Sequence, residues 1–424
     1  MTTAAFLLGL TAQVLTLDQA VQTADRAAPQ ARQARAQTEA ARARVTEARA
    51  PLLPQVTGAG AYQRTTGNFA PKPGTLPAST PSGPSSWTTH NYFNFGLSAS
   101  ILIWDFGQTS GRWRASAATA ESVADTERMT RLQIVLGVRT AFFNARAQKS
   151  LVEVAREQLA NQERHLKQVE GFVEVGTRPE IDLAQARTDR ANARVQLINA
   201  ENAYAIARAQ LNQAMGVEGS TDYDVADDNL PPVPGEDLGT DALMGEAVKG
   251  RFDLRSAEQQ IRSQELTLRS VRGGYWPALG AATGLTDAGT GLESLTWNWN
   301  ATLTLTWQIY QGGLTRAQVR ENAATLVSLE AQRDSLRQQI RVEVDQARLG
   351  VRAAKAATVA ADEALTNARV RLRLAEGRYQ TGVGNIIELG DAQVALTNAA
   401  AQKVQADYNL ATARAQLLRA LGRR

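Results

Sequence analysis

Cysteine is absent from the chain, and histidine occurs twice, at His90 and His165. That excludes a disulfide scaffold, a thiolate metal site, a thiol nucleophile and an N-terminal cysteine lipid anchor. The two histidines are far apart in sequence and lack the spacing of a zinc site or a histidine-based catalytic system. No nucleophile–base pair or phosphate loop is present, so the chain does not read as an enzyme; no catalytic residue, metal or cofactor is assigned. The carboxylates that remain of interest are Asp182, Glu388 and Asp391, each just after a glycine-bracketed turn. Those turns are Gly171-Phe-Val-Glu-Val-Gly176 and Gly377-Arg-Tyr-Gln-Thr-Gly382, read as tight helix reversals with a glycine at each end. Asn385 with Glu388 fits a capping box, and Thr177 with Glu180 offers a second. Acids in a first turn suit the helix dipole, which accounts for Glu180 and Glu388 and leaves Asp391 unexplained. The competing reading sets Asp182, Glu388 and Asp391 around a narrow pore, where such a ring attracts cations.

The elements that position these acids form an internal repeat. A shift of 206 aligns Gly176 with Gly382, Ile181 with Ile387, Leu183 with Leu389 and Asn192 with Asn398. It also aligns Gln196 with Gln402, Arg208-Ala-Gln-Leu211 with Arg414-Ala-Gln-Leu417, and Gly216 with Gly422. Upstream, a shift of 223 aligns Arg49 with Arg272 and Pro54 with Pro277. The reading is a segment 1–16 resembling the end of a secretory signal, a first repeat 17–216, a connector 217–239 and a second repeat 240–424. The connector is acidic and broken by Pro231, Pro232 and Pro234. It reads as a solvated linker or as a belt packed on the helices.

Each half reads as helix, two strands, very long helix, turn, helix. First helices are expected over 17–50 and 242–272, and Pro54 and Pro277 end them. Strands are expected over 54–65, 92–104, 277–287 and 297–310. Phe93, Phe95, Leu97, Ala99, Ile101 and Ile103 alternate with mostly polar or small residues; Trp297, Trp299, Ala301, Leu303, Leu305, Trp307 and Ile309 do the same. Phe93, Phe95, Trp104, Trp297, Trp299 and Trp307 lie where the aromatic girdles of a transmembrane strand would lie. Four strands cannot close a barrel, so a membrane sheet would need several copies of the chain. The 66–90 segment, rich in Pro, Ser and Thr, reads as an exposed loop. Long helices are expected over 108–170 and 315–376, rich in alanine and free of proline, as in a coiled coil or helical tube. No stretch of 18 apolar residues exists. Lys+Arg 46 against Asp+Glu 42, a net +4, is too even to imply nucleic acid.

This pattern resembles the TolC-type outer-membrane efflux protein family. The resemblance rests on the two-fold repeat, Leu17-Asp-Gln-Ala-Val21, Ala48-Arg49-Ala50 leading to Pro54, Arg251-Phe-Asp-Leu254, and Gly382 followed by Ile387-Glu388-Leu389. Phe252 stands where the family usually has proline. The resemblance implies a mainly α protein with a small β part. It would be a homotrimer with a 12-stranded outer-membrane barrel continuous with a long α-helical barrel in the periplasm. It implies a passive duct gated at its periplasmic tip by an iris-like helix movement. Its partners would be a periplasmic adaptor (membrane fusion protein), through it an inner-membrane pump of RND, ABC or MFS class, and outer-membrane lipid. Glu388 and Asp391 match the family's constricting acids. Val175, Gly176, Thr177, Arg178 and Thr381, Gly382, Val383, Gly384 match its adaptor-contacting turns. Gly384 replaces an arginine that ties neighbouring helices in some members, which leaves Arg178 to hold the gate beside Asp182. A coiled-coil tether spanning the envelope without transport is the alternative.

Overall fold

The computed structural model describes residues 14–66 and 87–424. The signal-like segment up to residue 13 and residues 67–86 of the expected loop lie outside the described residues. The elements in chain order are β1 (Val14–Leu15), α1 (Leu17–Ala27), α2 (Pro29–Arg49), β2 (Gln55–Thr65), β3 (His90–Trp104), α3 (Gln108–Glu174) and α4 (Glu180–Met215). There follow β4 (Asp224–Val225), α5 (Thr240–Gly250), α6 (Phe252–Gly273), β5 (Ala278–Gly289), β6 (Thr296–Thr306), α7 (Leu314–Gln380) and α8 (Ile386–Ala420). Two compact units result. Among the described residues, one holds those of 39–123 and 257–331; the other holds 14–38, 124–256 and 332–424.

The unit with 39–123 and 257–331 contains one antiparallel sheet of order β2-β3-β5-β6, so β2 and β6 are its open edges. Directly paired residues share a face. Leu97 pairs with Gly58 and Leu285, and Leu285 pairs with Trp299, so these share one face. The opposite face carries Ser98, Thr57, Gly284 and Asn300 by the same register. The apolar face is open: Leu97, Leu285, Leu303 and Trp299 are exposed. Trp104 would fall on the polar face by simple alternation. A bulge between Leu102 and Trp104 pairs it with Leu279, opposite Leu305, and so turns it to the apolar side. At the helical end Phe106 stacks on Trp276 with ring centroids 5.4 Å apart. Strand β6 ends at Thr306, four residues short of the expected 310. Beyond it Gly312 and Gly313 take positive φ and turn the chain into α7.

Both long helices have 67 residues, roughly 100 Å each. The buried face of α7 runs Ile340, Val344, Ala347, Val351, Ala354, Ala361, Leu372, Ala375, Tyr379. On α8, Leu389, Ala392, Ala399, Ala406, Ala413 and Ala420 keep this spacing, and Ala411, Ala415 and Leu417 are buried as well near its end. Steps of three, four and seven are the heptad signature, which winds helices into a left-handed supercoil. Alanine at these seams lets helix axes approach to the short end of the packing range, about 8 Å. Among the described residues no helix is long and apolar enough to cross a membrane.

Two expected continuous helices are broken. The 17–50 helix divides at Ala28, which is extended (φ −57°, ψ 123°) because Pro29 excludes helical backbone before it. The 242–272 helix divides at Arg251, also extended. Each break receives the end of another helix. Gly216, at φ +72°, ends α4 so close to Ala28 that an added Cβ would lie 2.6 Å from its Cα. Gly422, at φ +73°, follows α8 and would bring a Cβ within 2.5 Å of the Gly250 carbonyl oxygen.

The connector is not a solvated linker. Tyr223, Val225, Leu230 and Val233 are buried and join cores that include Phe142, Phe143, Leu211, Val344 and Leu417. Its acids meet cations on the helices: Asp224 with Lys149 at 2.8 Å, Glu236 with Arg414 at 3.1 Å and with Lys355 at 2.7 Å. β4 also pairs in parallel with β1, and Asp228 accepts from the Leu17 amide at 2.8 Å.

Candidate functional site

The two hairpin turns carry the candidate residues. α3 ends at Glu174, so Gly171 is helical; the reversal needs only Gly176, at φ +77°. Likewise α7 continues through Gly377 to Gln380, and Gly382 takes φ +79°. In the first turn the Thr177 amide and hydroxyl both donate to the Phe172 carbonyl at 2.9 Å. In the second the amides of Val383 and Gly384 donate to the Arg378 carbonyl at 3.1 and 2.8 Å. Gly384 is buried, and a Cβ there would meet the Arg378 and Tyr379 backbone at 3.0 Å.

The helix starts differ. Asn385 caps α8, its side-chain oxygen accepting from the Glu388 amide at 2.7 Å. The Glu388 carboxylate pairs with Arg378 Nε at 3.2 Å across the turn. Only half of the expected capping box forms, because that arginine holds the acid. The first hairpin forms no box: Pro179 is the N-cap of α4 and makes no side-chain cap bond, while Thr177 is committed to Phe172.

Asp182 and Glu388 are half-buried and Asp391 is exposed. Among the described residues neither Asp182 nor Asp391 makes a side-chain ion pair, so their charges remain available. No cluster suited to a metal ion occurs among the described residues.

The contact joining the two hairpins centres on Tyr379, which sequence reasoning passed over. Its ring is 2% exposed and packs with Leu372, Ala375, Leu389 and Ala392, flanked by Phe172 from the first hairpin. Arg178 lies over that ring, its guanidinium carbon 4.9 Å from the centroid. His165 from α3 meets the ring edge-on at 5.4 Å. Burial lowers the His165 pKa, with Asp189 and Asp182 partly opposing it, so the imidazole is neutral at pH 7. The sequence carries one signal for Tyr379: it lies at the end of the heptad seam of α7, where a large ring must find a partner.

The Arg251-Phe-Asp-Leu254 motif lies elsewhere in the same unit. Arg251 is 5% exposed, donating from Nε to Asp253 at 3.0 Å and from Nη1 to Glu343 at 2.6 Å. Phe252 lies between the guanidinium groups of Arg128 and Arg255, at 5.8 and 5.5 Å. This cluster ties the start of α6 to α7 through Glu343.

Comparison with known proteins agrees with this architecture. Residues 20–217 and 243–423 match the outer membrane efflux protein family. The toluene efflux pump outer membrane protein TtgF of Pseudomonas putida is 25% identical over 338 residues, 77% of this chain and 68% of that protein. The outer membrane protein TolC of Escherichia coli is 25% identical over 348 residues, 77% of this chain and 69% of that one. The outer membrane channel CmeC of Campylobacter jejuni has the same fold, with TM-score 0.83 at 19% identity over 96% of this chain and 85% of that one. VceC of Vibrio cholerae gives TM-score 0.82 at 16% identity, with 96% of both chains covered. By sequence this chain belongs to the outer membrane efflux protein family, and it is a mainly helical outer-membrane factor of the TolC type.

Proposed function

We propose that the protein is the passive exit duct of a tripartite efflux or type I secretion system. One observation carries the reading: a four-stranded sheet with an exposed apolar face, aromatic residues at both ends and two unpaired edges. Thr296 and Thr306, the two ends of β6, are ten residues apart. That is roughly 33 Å along a strand, or about 25 Å of membrane at a tilt near 40°. Unpaired edges are not tolerated in lipid, so copies must join edge to edge. Three copies supply twelve strands, and the long helices continue as a periplasmic tube. Repeats 17–216 and 240–424 give each copy two hairpins, with 217–239 as a belt around the tube.

The hairpin turns form the gate. Glu388, Asp391 and Asp182 supply the acidic constriction, and Arg178 on Tyr379 holds neighbouring hairpins together. Val175, Ile181, Val383 and Ile387 are between 68% and 77% exposed at these turns. Apolar side chains so open suit a periplasmic adaptor that docks on the turns 175–178 and 381–384 and links the duct to an RND, ABC or MFS pump. Relatives that serve in toluene and solvent efflux pumps support small apolar molecules as substrates.

Single-channel recording of the purified oligomer in a planar bilayer, with its mass measured alongside, tests this. A trimer with a cation-selective conductance is expected, and Asp391→Asn with Glu388→Gln should lower that selectivity severalfold. A monomer, or an oligomer that never conducts even after the tip is loosened by mutation, would sink the proposal.

A further inference from the structure

The junction between sheet and helices carries a charge pattern that the duct does not require. The last two turns of α2 and α6 and the first two turns of α3 and α7 contain Arg44, Arg49, Arg112, Arg114, Arg269, Arg272, Arg316 and Arg320. The same 28 residues hold a single acid, Glu47, and no lysine. All eight arginines are exposed. Among the described residues none of them makes an ion pair, although arginines elsewhere in the chain commonly do. Arg49 lies over the Trp113 ring at 5.7 Å. Arg269 and Arg272 share a face of α6 by their three-residue spacing, and Arg316 and Arg320 share a face of α7 by their four-residue spacing.

Immediately past these turns come the interfacial aromatics Trp104, Tyr275, Trp276 and Trp307, all exposed. The arginines therefore sit one to two turns beyond the edge of the apolar band, at the depth of lipid phosphate. Eight guanidinium groups left without a carboxylate, at that depth, call for an anion that the chain does not supply. Guanidinium binds phosphate oxygens in a two-pronged geometry.

We propose that this arginine ring is a collar for anionic phospholipid headgroups of the periplasmic-side leaflet. The collar fixes how deep the sheet sits, because sinking the arginines into hydrocarbon and lifting the aromatics into water are both unfavourable. It rests on the membrane-spanning reading of the sheet, and the test separates the two.

The protein is reconstituted into vesicles of phosphatidylcholine, with or without phosphatidylglycerol, and the lipid retained after re-extraction is quantified. Insertion into pure phosphatidylcholine, scored by flotation, tests the membrane reading alone. Failure there overturns the membrane reading and the collar with it. Given insertion, the collar predicts severalfold enrichment of phosphatidylglycerol over its bulk share. Arg269→Gln with Arg272→Gln, and Arg316→Gln with Arg320→Gln, should each reduce it, by about fivefold per engaged arginine at low salt. Lysine at the same positions should retain most of it, and raised salt should weaken it. Melting in detergent, unchanged across the variants, controls for folding. Because each pair is tested separately, loss of one variant does not end the test. Equal retention by parent and glutamine variants overturns the collar, as does enrichment abolished by millimolar inorganic phosphate, which would mark a free-anion site.

Discussion

Arg178 and Tyr379 are 201 positions apart and meet at 4.9 Å. A cation over a ring at such a partly exposed site contributes about 0.5–1 kcal/mol. On the proposed gate, Arg178→Ala should therefore raise the open fraction of the tip roughly two- to fivefold, read as conductance or as faster hydrogen exchange over 372–392. The Tyr379 hydroxyl is buried and has no hydrogen-bond partner among the described residues. Tyr379→Phe should leave this latch, the Arg178–Tyr379 contact, intact, since the ring carries it, whereas Tyr379→Ala should cost about 3–5 kcal/mol locally. An effect of Tyr379→Phe as large as that of Tyr379→Ala would show that the hydroxyl matters and the ring does not.

His165 adds a pH dependence to the same contact. Its folded pKa lies below the ordinary imidazole value, so the unfolded chain binds the proton more readily. The stability it contributes is whole above about pH 6.5 and is lost as pH falls through the lower folded value. The tip should loosen on mild acidification, and His165→Phe should flatten exchange rates across that interval. Gly384 leaves no room for a larger residue: the site is closed by Arg378 and the Tyr379 backbone, and no side chain fits without moving them.

At the scale of elements, the broken helices and the helix ends that fill their breaks set the stability. Gly216→Ala forces a β-carbon into Ala28 and a side chain into positive φ. A fall of at least about 1–2 kcal/mol in unfolding free energy is expected, and a melting point equal to the parent's would refute the close approach. Asp253 is held by Arg251. Burial pushes its carboxyl up, yet the hydrogen bonds and charge of Arg251 outweigh this and leave it below the ordinary carboxylate range. Its contribution is present above the unfolded carboxylate pKa and disappears as pH falls through the folded one. Asp253→Asn should cost on the order of 3 kcal/mol at pH 7 and much less near pH 2, a difference that urea titrations at the two pH values would measure.

For the whole molecule, what was legible in sequence followed from short-range periodicity. Alternation at 93–103 and 297–305 marked strands, and proline-free alanine-rich runs marked the long helices. The turns were legible because Gly176 and Gly382 recur at a fixed shift. The connector was ambiguous for a physical reason. Locally it is acidic and proline-broken, and the cations that bury it are supplied by Lys149, Lys355 and Arg414, far along the chain. The latch was hidden in the same way. Strand β6 read four residues too long because Trp307 and Ile309 keep the alternation after the backbone has left the sheet. Pro29 was a local signal that should have divided the first helix.

The equal length of α3 and α7, 67 residues each, makes them a matched pair of rulers. Each sets how many turns of helix lead to its own reversal, and Arg178 meets Tyr379 only if both count alike. Seven extra residues in one helix preserve its heptad seam but displace that turn by about 10 Å, too far for Arg178 to reach Tyr379. Seven in both would keep the Arg178–Tyr379 contact. Length changes in this protein are therefore neutral only when they come in pairs.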